Sequence, residues 1–371
     1  MKITIKKTED QLALVRAMGS NNREEAYEAQ AAVAELLGPV VTEVINNAVT
    51  VGNLFTTLTY QADDNPSLPL DLFHDISEED YVQVYSQQVA GGLPYNQVFP
   101  AHNELKFSTY TLDSALAFDR KYAKKARVDV VSKTFTRMAQ EVMLKQERTA
   151  FNVLASALVG GDSLTATAGD HITTAAGGAL VLDDLNQLIT TSKRINSSFV
   201  GGTPVGGSKA GVTDLLVSPE VVSDIRAMAY NPINTKTAPI TSAIKDGIAA
   251  PEDLRSQLYS GAGLPSFYGI NIIEILEMGT DQRFNKIFDA VKGSFSFTQA
   301  DDQILIGVDR SRDALLRPVV LDEGSTGEMN VLVDDQFSVR QNKIGYYGKV
   351  EEGRVCIDDR ALCGIKLTQT P

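Results

Sequence analysis

The side chains that most often carry catalysis are scarce in this chain. Its three histidines, His74, His102 and His171, fall in three separate segments, and none has a carboxylate at catalytic spacing. The sequence contains no phosphate-binding Gly-x4-Gly-Lys-Ser/Thr loop, no His-Glu-x-x-His motif and no Gly-x-Ser-x-Gly turn. The residue types therefore predict no catalytic, cofactor-binding or metal site.

The two cysteines allow one geometric prediction. If Asp358–Ala361 forms a hairpin loop, Cys356 and Cys363 lie directly opposite each other in an antiparallel pair. Facing residues in such a pair have Cβ atoms about 4.5–5.5 Å apart, slightly more than the ~3.8 Å of a disulfide. Two interpretations are open: a pair of free thiols in a reducing compartment, or a disulfide that forms late in an oxidising medium.

Composition indicates a folded, acidic protein. The 371 residues include 34 Lys and Arg against 47 Asp and Glu, which gives a net charge of −13. This acidity disfavours whole-surface binding to nucleic acid. The length suggests about two domains. No apolar run approaches the roughly 20 residues of a membrane span, and no apolar segment follows the first basic residues as in a secretory signal. We therefore expect a soluble protein made in a reducing cytoplasm.

One short segment is strongly basic despite the acidic remainder. Arg120, Lys121, Lys124, Lys125 and Arg127 form the densest positive run in the chain. Three interpretations are open: a solvated entrance to a helix, a contact with an acidic neighbouring subunit, or a contact with nucleic acid. The acidic composition makes the last of these the least favoured.

The first 118 residues predict an arm followed by an excursion of the chain. Asn22 is a suitable N-cap for an amphipathic helix that we expect to end at Gly38-Pro39. That helix either packs on its own domain or binds a partner. Strands are expected at Tyr81–Val89 and Leu105–Leu112. Because an isolated hairpin is only marginally stable in water, this pair either packs on its own domain or reaches a neighbouring chain.

A long helix is the strongest local signal. Residues 127–158 contain no Gly or Pro, and apolar side chains from Val128 to Leu158 keep a helical stripe. Roughly 30 helical residues make a rod of ~45 Å, far longer than a helix of average length. A rod of this kind usually serves as a spine against which a sheet packs.

The second half predicts two shorter helices among many strands, and hence an α+β fold. One helix is expected at Leu182–Ile195. The strand Asp214–Val217 leads through Ser218, as N-cap, into a helix that stops before Asn231-Pro232. A strand is expected at Ile270–Leu276, whose nearly continuous apolar residues are typical of a central strand. Further strands are expected at Ile304–Val308, Leu315–Leu321 and Asn330–Val333. Strands at Phe337–Asn342, Gly345–Val350 and Arg354–Ile357 are expected to complete a meander that closes with Leu362–Leu367.

The order of these segments resembles the major capsid proteins of tailed bacteriophages, which share the Hong Kong 97-type fold. The run Leu215–Glu220 is similar to the family's strand-to-helix step, and Gly263–Pro265 with Gly269–Ile273 resembles the strand that follows it. Ile306–Asp309 resembles part of a later strand pair, and Asp358–Leu362 resembles the closing turn.

This resemblance implies a particular division of the chain. It places an N-terminal arm at 1–60, an extended two-stranded loop (E-loop) at 61–118 and a peripheral domain with the spine helix at 119–180. The division continues with an axial domain at 181–330. It ends with C-terminal strands at 331–371, which return to the peripheral domain. We expect subunit contacts at Tyr85, Gly91, Gly92, Pro94, Lys106, Arg120, Lys121, Lys124, Lys125, Arg127, Asn231 and Pro232.

The resemblance also implies a function. It implies a structural subunit, not an enzyme, that assembles into hexamers and pentamers of an icosahedral virion capsid around double-stranded DNA. Its partners would be other copies of itself and separate scaffold, portal and cement proteins, with assembly in a bacterial cytoplasm and no cofactor or membrane. Two alternatives remain open: the shell of an encapsulin-like nanocompartment, and a soluble two-domain enzyme whose site the sequence does not reveal.

Overall fold

A computed structural model describes residues 8–48, 50–61, 64, 67–69, 104–161, 169–175, 177, 180–195, 211–228, 269–321, 328–334 and 341–368. The chain divides into two compact units. The first contains Met1–Ser67, Lys106–Ala150 and Leu316–Val355, and the second contains Leu68–Leu105, Phe151–Leu315 and Cys356–Pro371. Helices and strands are mixed in both, so the predicted α+β class is confirmed.

The helices are α1 (Glu9–Ala17), α2 (Arg23–Ala48), α3 (Arg120–Lys124), α4 (Val128–Gly160), α5 (Leu182–Ile195), α6 (Pro219–Met228) and α7 (Arg283–Val291). The strands are β1 (Thr56–Gln61), β2 (Ser67–Pro69), β3 (Glu104–Lys106), β4 (Tyr110–Asp119), β5 (Ile172–Thr174), β6 (Asp214–Val217), β7 (Asn271–Glu274), β8 (Asp302–Val308), β9 (Leu315–Leu321), β10 (Asn330–Asp334), β11 (Lys343–Glu352), β12 (Val355–Cys356) and β13 (Leu362–Thr368). None of the helices in the described part is long and apolar enough to cross a membrane.

Helix α4 confirms the predicted spine. Its 33 residues make a rod of about 50 Å. In the first unit the apolar stripe is buried, and the ring of Phe135 lies 5.0 Å from that of Tyr346 on β11. In the second unit Phe151 stacks on Phe284 of α7, with 4.2 Å between ring centroids. The apolar periodicity therefore marks the residues that build both cores.

Helix α2 continues through Gly38-Pro39, so the predicted end of the helix there is wrong. A proline inside a helix costs about 3 kcal/mol because it removes a backbone N–H and crowds the preceding turn. Beyond it, Val41 and Ile45 are buried in the core of the first unit. Burying each such side chain contributes about 1.5–3 kcal/mol, which offsets the cost of the proline. The inner face of the helix thus packs on its own unit.

The sheet of the first unit is centred on β11. Strand β4 pairs antiparallel with β11 along its whole length, from Tyr110 opposite Glu352 to Asp119 opposite Lys343. On its other side β11 pairs with β10 and, at its end, with β9. Strand β1 lies parallel to β9. Helices α1, α2 and α4 cover this sheet, and their buried side chains form one core with it.

The sheet of the second unit has the strand order β5-β13-β8-β6-β7. The strand-to-helix step at Ser218 is confirmed, since the Val221 N–H donates to Ser218 Oγ at 3.4 Å. Two predictions about strand placement are wrong. Strand β7 lies at an edge of the described sheet, and Leu276 just beyond it is 77% exposed. Strand β13 pairs with β8 and β5 and does not continue the meander.

Candidate functional site

A two-stranded stem marks where the chain leaves and re-enters the first unit. Strands β2 and β3 pair with each other, and the connection between them, residues 70–103, lies outside the described residues. The predicted strand Leu105–Leu112 is two strands, β3 and β4, separated around a buried Phe107. Lys106 is exposed at the end of β3. The stem therefore delivers the chain directly into the β4–β11 pair.

A buried carboxylate lies where β4 begins. Glu352, the last residue of β11, is 0% exposed. It accepts hydrogen bonds from Tyr110 Oη at 3.0 Å, from Gln146 Nε2 at 3.0 Å and from Arg317 Nε at 2.7 Å. These donors come from β4, α4 and β9. We call Tyr110, Gln146, Arg317, Glu352 and Arg354 the Glu352 network.

The two arginines of this network have different surroundings. Arg317 has a second carboxylate, Glu328, at 2.9 Å. Burial acts to lower the pKa of Arg317, but Glu352 and Glu328 together outweigh it and the pKa is raised. The side chain of Arg354 is 2% exposed, with Glu352 at 3.5 Å and the Gly52 carbonyl at 3.2 Å. Burial lowers the pKa of Arg354. The first guanidinium is therefore fully paired, and the second is only partly paired.

The segment after α2 is fixed to the same region. Glu147, next to Gln146 on α4, accepts hydrogen bonds from the backbone N–H groups of Thr50 at 2.6 Å and Val51 at 3.0 Å. The guanidinium of Arg354 lies 5.0 Å from the centre of the Phe55 ring. Gly52, Asn53, Phe55, Thr57, Gln146, Arg317 and Arg354 line a small polar cavity of about 190 Å³. Segments far apart in sequence therefore meet at one buried polar site.

Chemically, the Glu352 network is suited to fixing positions. Burial also raises the pKa of Tyr110, with the charge of Glu352 as a further cause, so its hydroxyl remains a donor. Within the described residues no group of three or more His, Cys, Asp or Glu side chains is arranged to hold a metal. The network thus joins the start of β4 to the spine helix and to the segment after α2. Sequence reasoning missed it, although Arg317 inside the apolar run of β9 was a usable signal.

The basic run forms a short connector, Arg120–Arg127, which we call the basic connector. It contains α3 and a turn at Ala126, whose φ is +50°, before α4 begins. Lys121 pairs with Asp119 at 2.9 Å, and Lys124 Nζ donates to Asn21 Oδ1 at 2.9 Å.

The other predicted contact residues are only partly within the described structure. In the connector, Lys125 and Arg127 are exposed and Arg120 is partly exposed. Six lie outside the described residues, namely Tyr85, Gly91, Gly92, Pro94, Asn231 and Pro232.

The predicted opposition of the cysteines is wrong. Cys356 lies on β12, which pairs with β9, whereas Cys363 lies opposite Gly307 of β8. Both are free thiols, and their Sγ atoms approach different carbonyl oxygens, those of Asp358 and Gly307. Burial raises the pKa of each thiol to about 12. The hypothesis of a late disulfide therefore loses the geometry on which it was based.

His171 is a core residue of the second unit. It is fully buried, and neither ring nitrogen has a hydrogen-bond partner in the described structure. A Cβ added to Gly161 would lie 2.4 Å from His171 Nδ1, so the ring packs directly on this glycine. His74 and His102 lie outside the described residues.

No protein-family model matches this sequence, and no curated protein sequence matches it. The structure is similar to the capsid of cyanophage P-SCSP1u, with a TM-score of 0.49, 12% identity, and coverage of 85% of this chain and 86% of that chain. It is similar to the mature capsid of bacteriophage PhiM1, with a TM-score of 0.48, 10% identity, and coverage of 87% and 88%.

The structure is also similar to the holo-SrpI encapsulin complex of Synechococcus elongatus PCC 7942, with a TM-score of 0.45, 11% identity, and coverage of 85% and 86%.

Proposed function

We propose that this chain is a structural shell subunit that assembles into hexamers and pentamers of an icosahedral capsid enclosing double-stranded DNA. In this role it binds other copies of itself, while scaffold, portal and cement proteins are separate partners. The virion capsid is its final location, after assembly in a bacterial host. The predicted arm, E-loop, peripheral domain, axial domain and C-terminal strands are part of this proposal.

The observation that carries the proposal is the stem at β2 and β3. Two paired strands of three residues each are joined by a connection of 34 residues, 70–103. The chain then continues into β4, whose first residue, Tyr110, belongs to the Glu352 network. Connections longer than about 12–15 residues are uncommon inside compact domains, and many of them carry a function such as binding. A shell subunit needs such a segment, because many modest contacts with neighbours add up to a stable assembly.

The charge of the chain suits a container. With a net charge of −13 it does not hold DNA by counterion release, so packaged DNA is enclosed without sequence-specific binding. Contacts around closed rings are heterologous, meaning that two different surfaces of the same chain meet. Extended segments supply surfaces of this kind.

Size and shape test the proposal. The full chain is purified and examined by multi-angle light scattering and negative-stain electron microscopy over a range of protein concentrations. We expect rings or closed particles. A small oligomer of fixed mass at every concentration would overturn the proposal and favour the enzyme. Particles from the native source that hold protein cargo and no DNA would favour the nanocompartment.

The stem itself can be tested by replacing residues 70–103 with a short Gly/Ser linker. Strands β2 and β3 and the contacts of Tyr110 are kept, so the variant should remain folded and lose all large particles. Circular dichroism melting measures the fold and light scattering measures the particles. Particles of normal size from this variant, or loss of cooperative melting, would contradict an intermolecular role for the segment.

A further inference from the structure

The outer side of α2 carries an unusual exposed surface. Leu36 is 53% exposed and Val40 37% exposed, although both are large apolar side chains. Glu35 and Glu43 flank them, are exposed, and have no ion-pair partner in the part of the chain that the structure describes. We call these four residues the acidic face. It extends about 12 Å along the helix.

This surface differs from the scattered apolar residues of ordinary protein surfaces. Three of the seven exposed large hydrophobic side chains in the described residues lie on α2, the third being Tyr27. Leu36 and Val40 are four residues apart and so lie side by side on the helix. An apolar centre bordered by charges is the usual composition of a protein–protein contact.

A surface of opposite charge lies in the same unit. In the basic connector, Asp119 holds Lys121 and Asn21 holds Lys124. Lys125 and Arg127 are exposed and have no ion-pair partner among the described residues. The connector therefore presents two exposed positive charges that no carboxylate in the described part of the chain pairs with.

The acidic face is too far along α2 to use the connector of its own chain. Asn21, which precedes α2, contacts the connector through Lys124. At 1.5 Å per residue, Glu35 lies about 18 Å and Glu43 about 30 Å along the helix from its start at Arg23. Both exceed the Debye length of about 10 Å at 0.1 M salt, so the two surfaces are screened from each other within one chain.

We propose that the acidic face of one copy docks on the basic connector of a neighbouring copy. This inference rests on the proposed function and names one of its subunit contacts. Copies with a net charge of −13 repel one another, so association needs a local match of opposite charges. Two different surfaces on one chain form a heterologous contact, which generates rings when the rotation closes.

Paired charge reversals test the contact. Lys125→Glu with Arg127→Glu, and separately Glu35→Lys with Glu43→Lys, should each abolish particles at low salt. The variant with all four substitutions should restore them, because the two surfaces again have opposite charge. A mixture of the two double variants should also assemble, but only with strict alternation, and therefore into even-numbered rings.

Controls separate this contact from other effects. Arg283→Glu with Lys286→Glu on the exposed side of α7 changes the net charge equally and should leave assembly intact. All positions are exposed, so melting temperatures should stay within a few degrees of the parent. Normal assembly of either double variant, or failure of the fourfold variant, would overturn the docking proposal.

Two other outcomes have distinct meanings. A parent chain that never assembles would instead refute the proposed function. Loss of DNA binding with normal assembly in the Lys125, Arg127 variant would assign the connector to nucleic acid, and the docking proposal would fail.

Discussion

Replacing Glu352 by glutamine should destabilise the first unit by about 3–5 kcal/mol, the usual cost of breaking a buried ion pair from one side. Two donors, Arg317 Nε and Gln146 Nε2, converge on the same Glu352 oxygen, and Tyr110 donates to the other. The amide group of a glutamine would replace one of these two acceptor oxygens by an NH₂ group, which cannot accept the hydrogen bonds made there. Arg317 keeps Glu328, but Arg354 loses the carboxylate at 3.5 Å. The penalty therefore falls mainly on the buried guanidinium of Arg354, which loses the stronger of its two carboxylate counter-charges and keeps that of Glu147.

The neighbouring residue provides the matched control. Glu351 lies on the same strand, is partly exposed, and accepts a hydrogen bond from Thr109 Oγ1 at 2.8 Å. Glu351→Gln keeps an acceptor for that hydroxyl and should cost less than about 1 kcal/mol. Urea unfolding followed by circular dichroism, on protein kept below its assembly concentration, measures both variants.

For a unit of about 150 residues, 3–5 kcal/mol corresponds to a fall in melting temperature of about 6–20 °C. Hydrogen exchange should rise most in β11, β4 and the middle of α4, which the network joins. Equal stability of the Glu352→Gln and Glu351→Gln variants would refute the reasoning, since position 352 would then be either uncharged or hydrated in the folded protein.

Two further predictions concern the second unit. Gly161→Ala should destabilise this unit by about 1–3 kcal/mol, because the added methyl meets the buried His171 ring. Gly160→Ala is the control: it has open space around it, and should be neutral or stabilising by up to about 1 kcal/mol. Thermal melts that rank the two variants in the reverse order would contradict the packing. Burial raises the pKa of Asp224, so its charged form weakens the fold at neutral pH. Asp224→Asn should therefore raise the free energy of unfolding at pH 7. This gain should disappear below about pH 4, where the aspartate is protonated in the unfolded chain as well, and a gain that persists at pH 3 would have another cause.

Helices and strands with continuous periodicity and clear caps were predictable from the sequence. The bounds of α5 and β6 agree with the prediction, and α4 agrees within two residues at each end, because continuous periodicity and clear caps define them. The end of α2 was wrong because Pro39 is a local signal, whereas the burial of Val41 and Ile45 depends on residues distant in sequence. Helix α7 was missed, although two buried phenylalanines, Phe284 and Phe288, support it.

Strand partners and the polar site were harder to predict for the same reason. The placement of β13 beside β8 and β5 is decided by the core of the second unit and not by the short turn before it. The Glu352 network joins Tyr110, Gln146, Arg317 and Arg354, and no sequence spacing brings these residues together. Only the anomaly of an arginine in an apolar strand pointed to it.

The discontinuity of the first unit has a consequence for biosynthesis. Its sheet is built around β11, which ends at residue 352 of a chain of 371. A ribosome must therefore add about 300 residues after α2 before the amino-terminal helices can pack against β11. Until β11 is made, the apolar faces of α1 and α2 lack part of the core that buries them, and incomplete chains of this kind are prone to aggregate. Because the chain passes through both units, folding of the first unit is thus delayed until β11 has been synthesised.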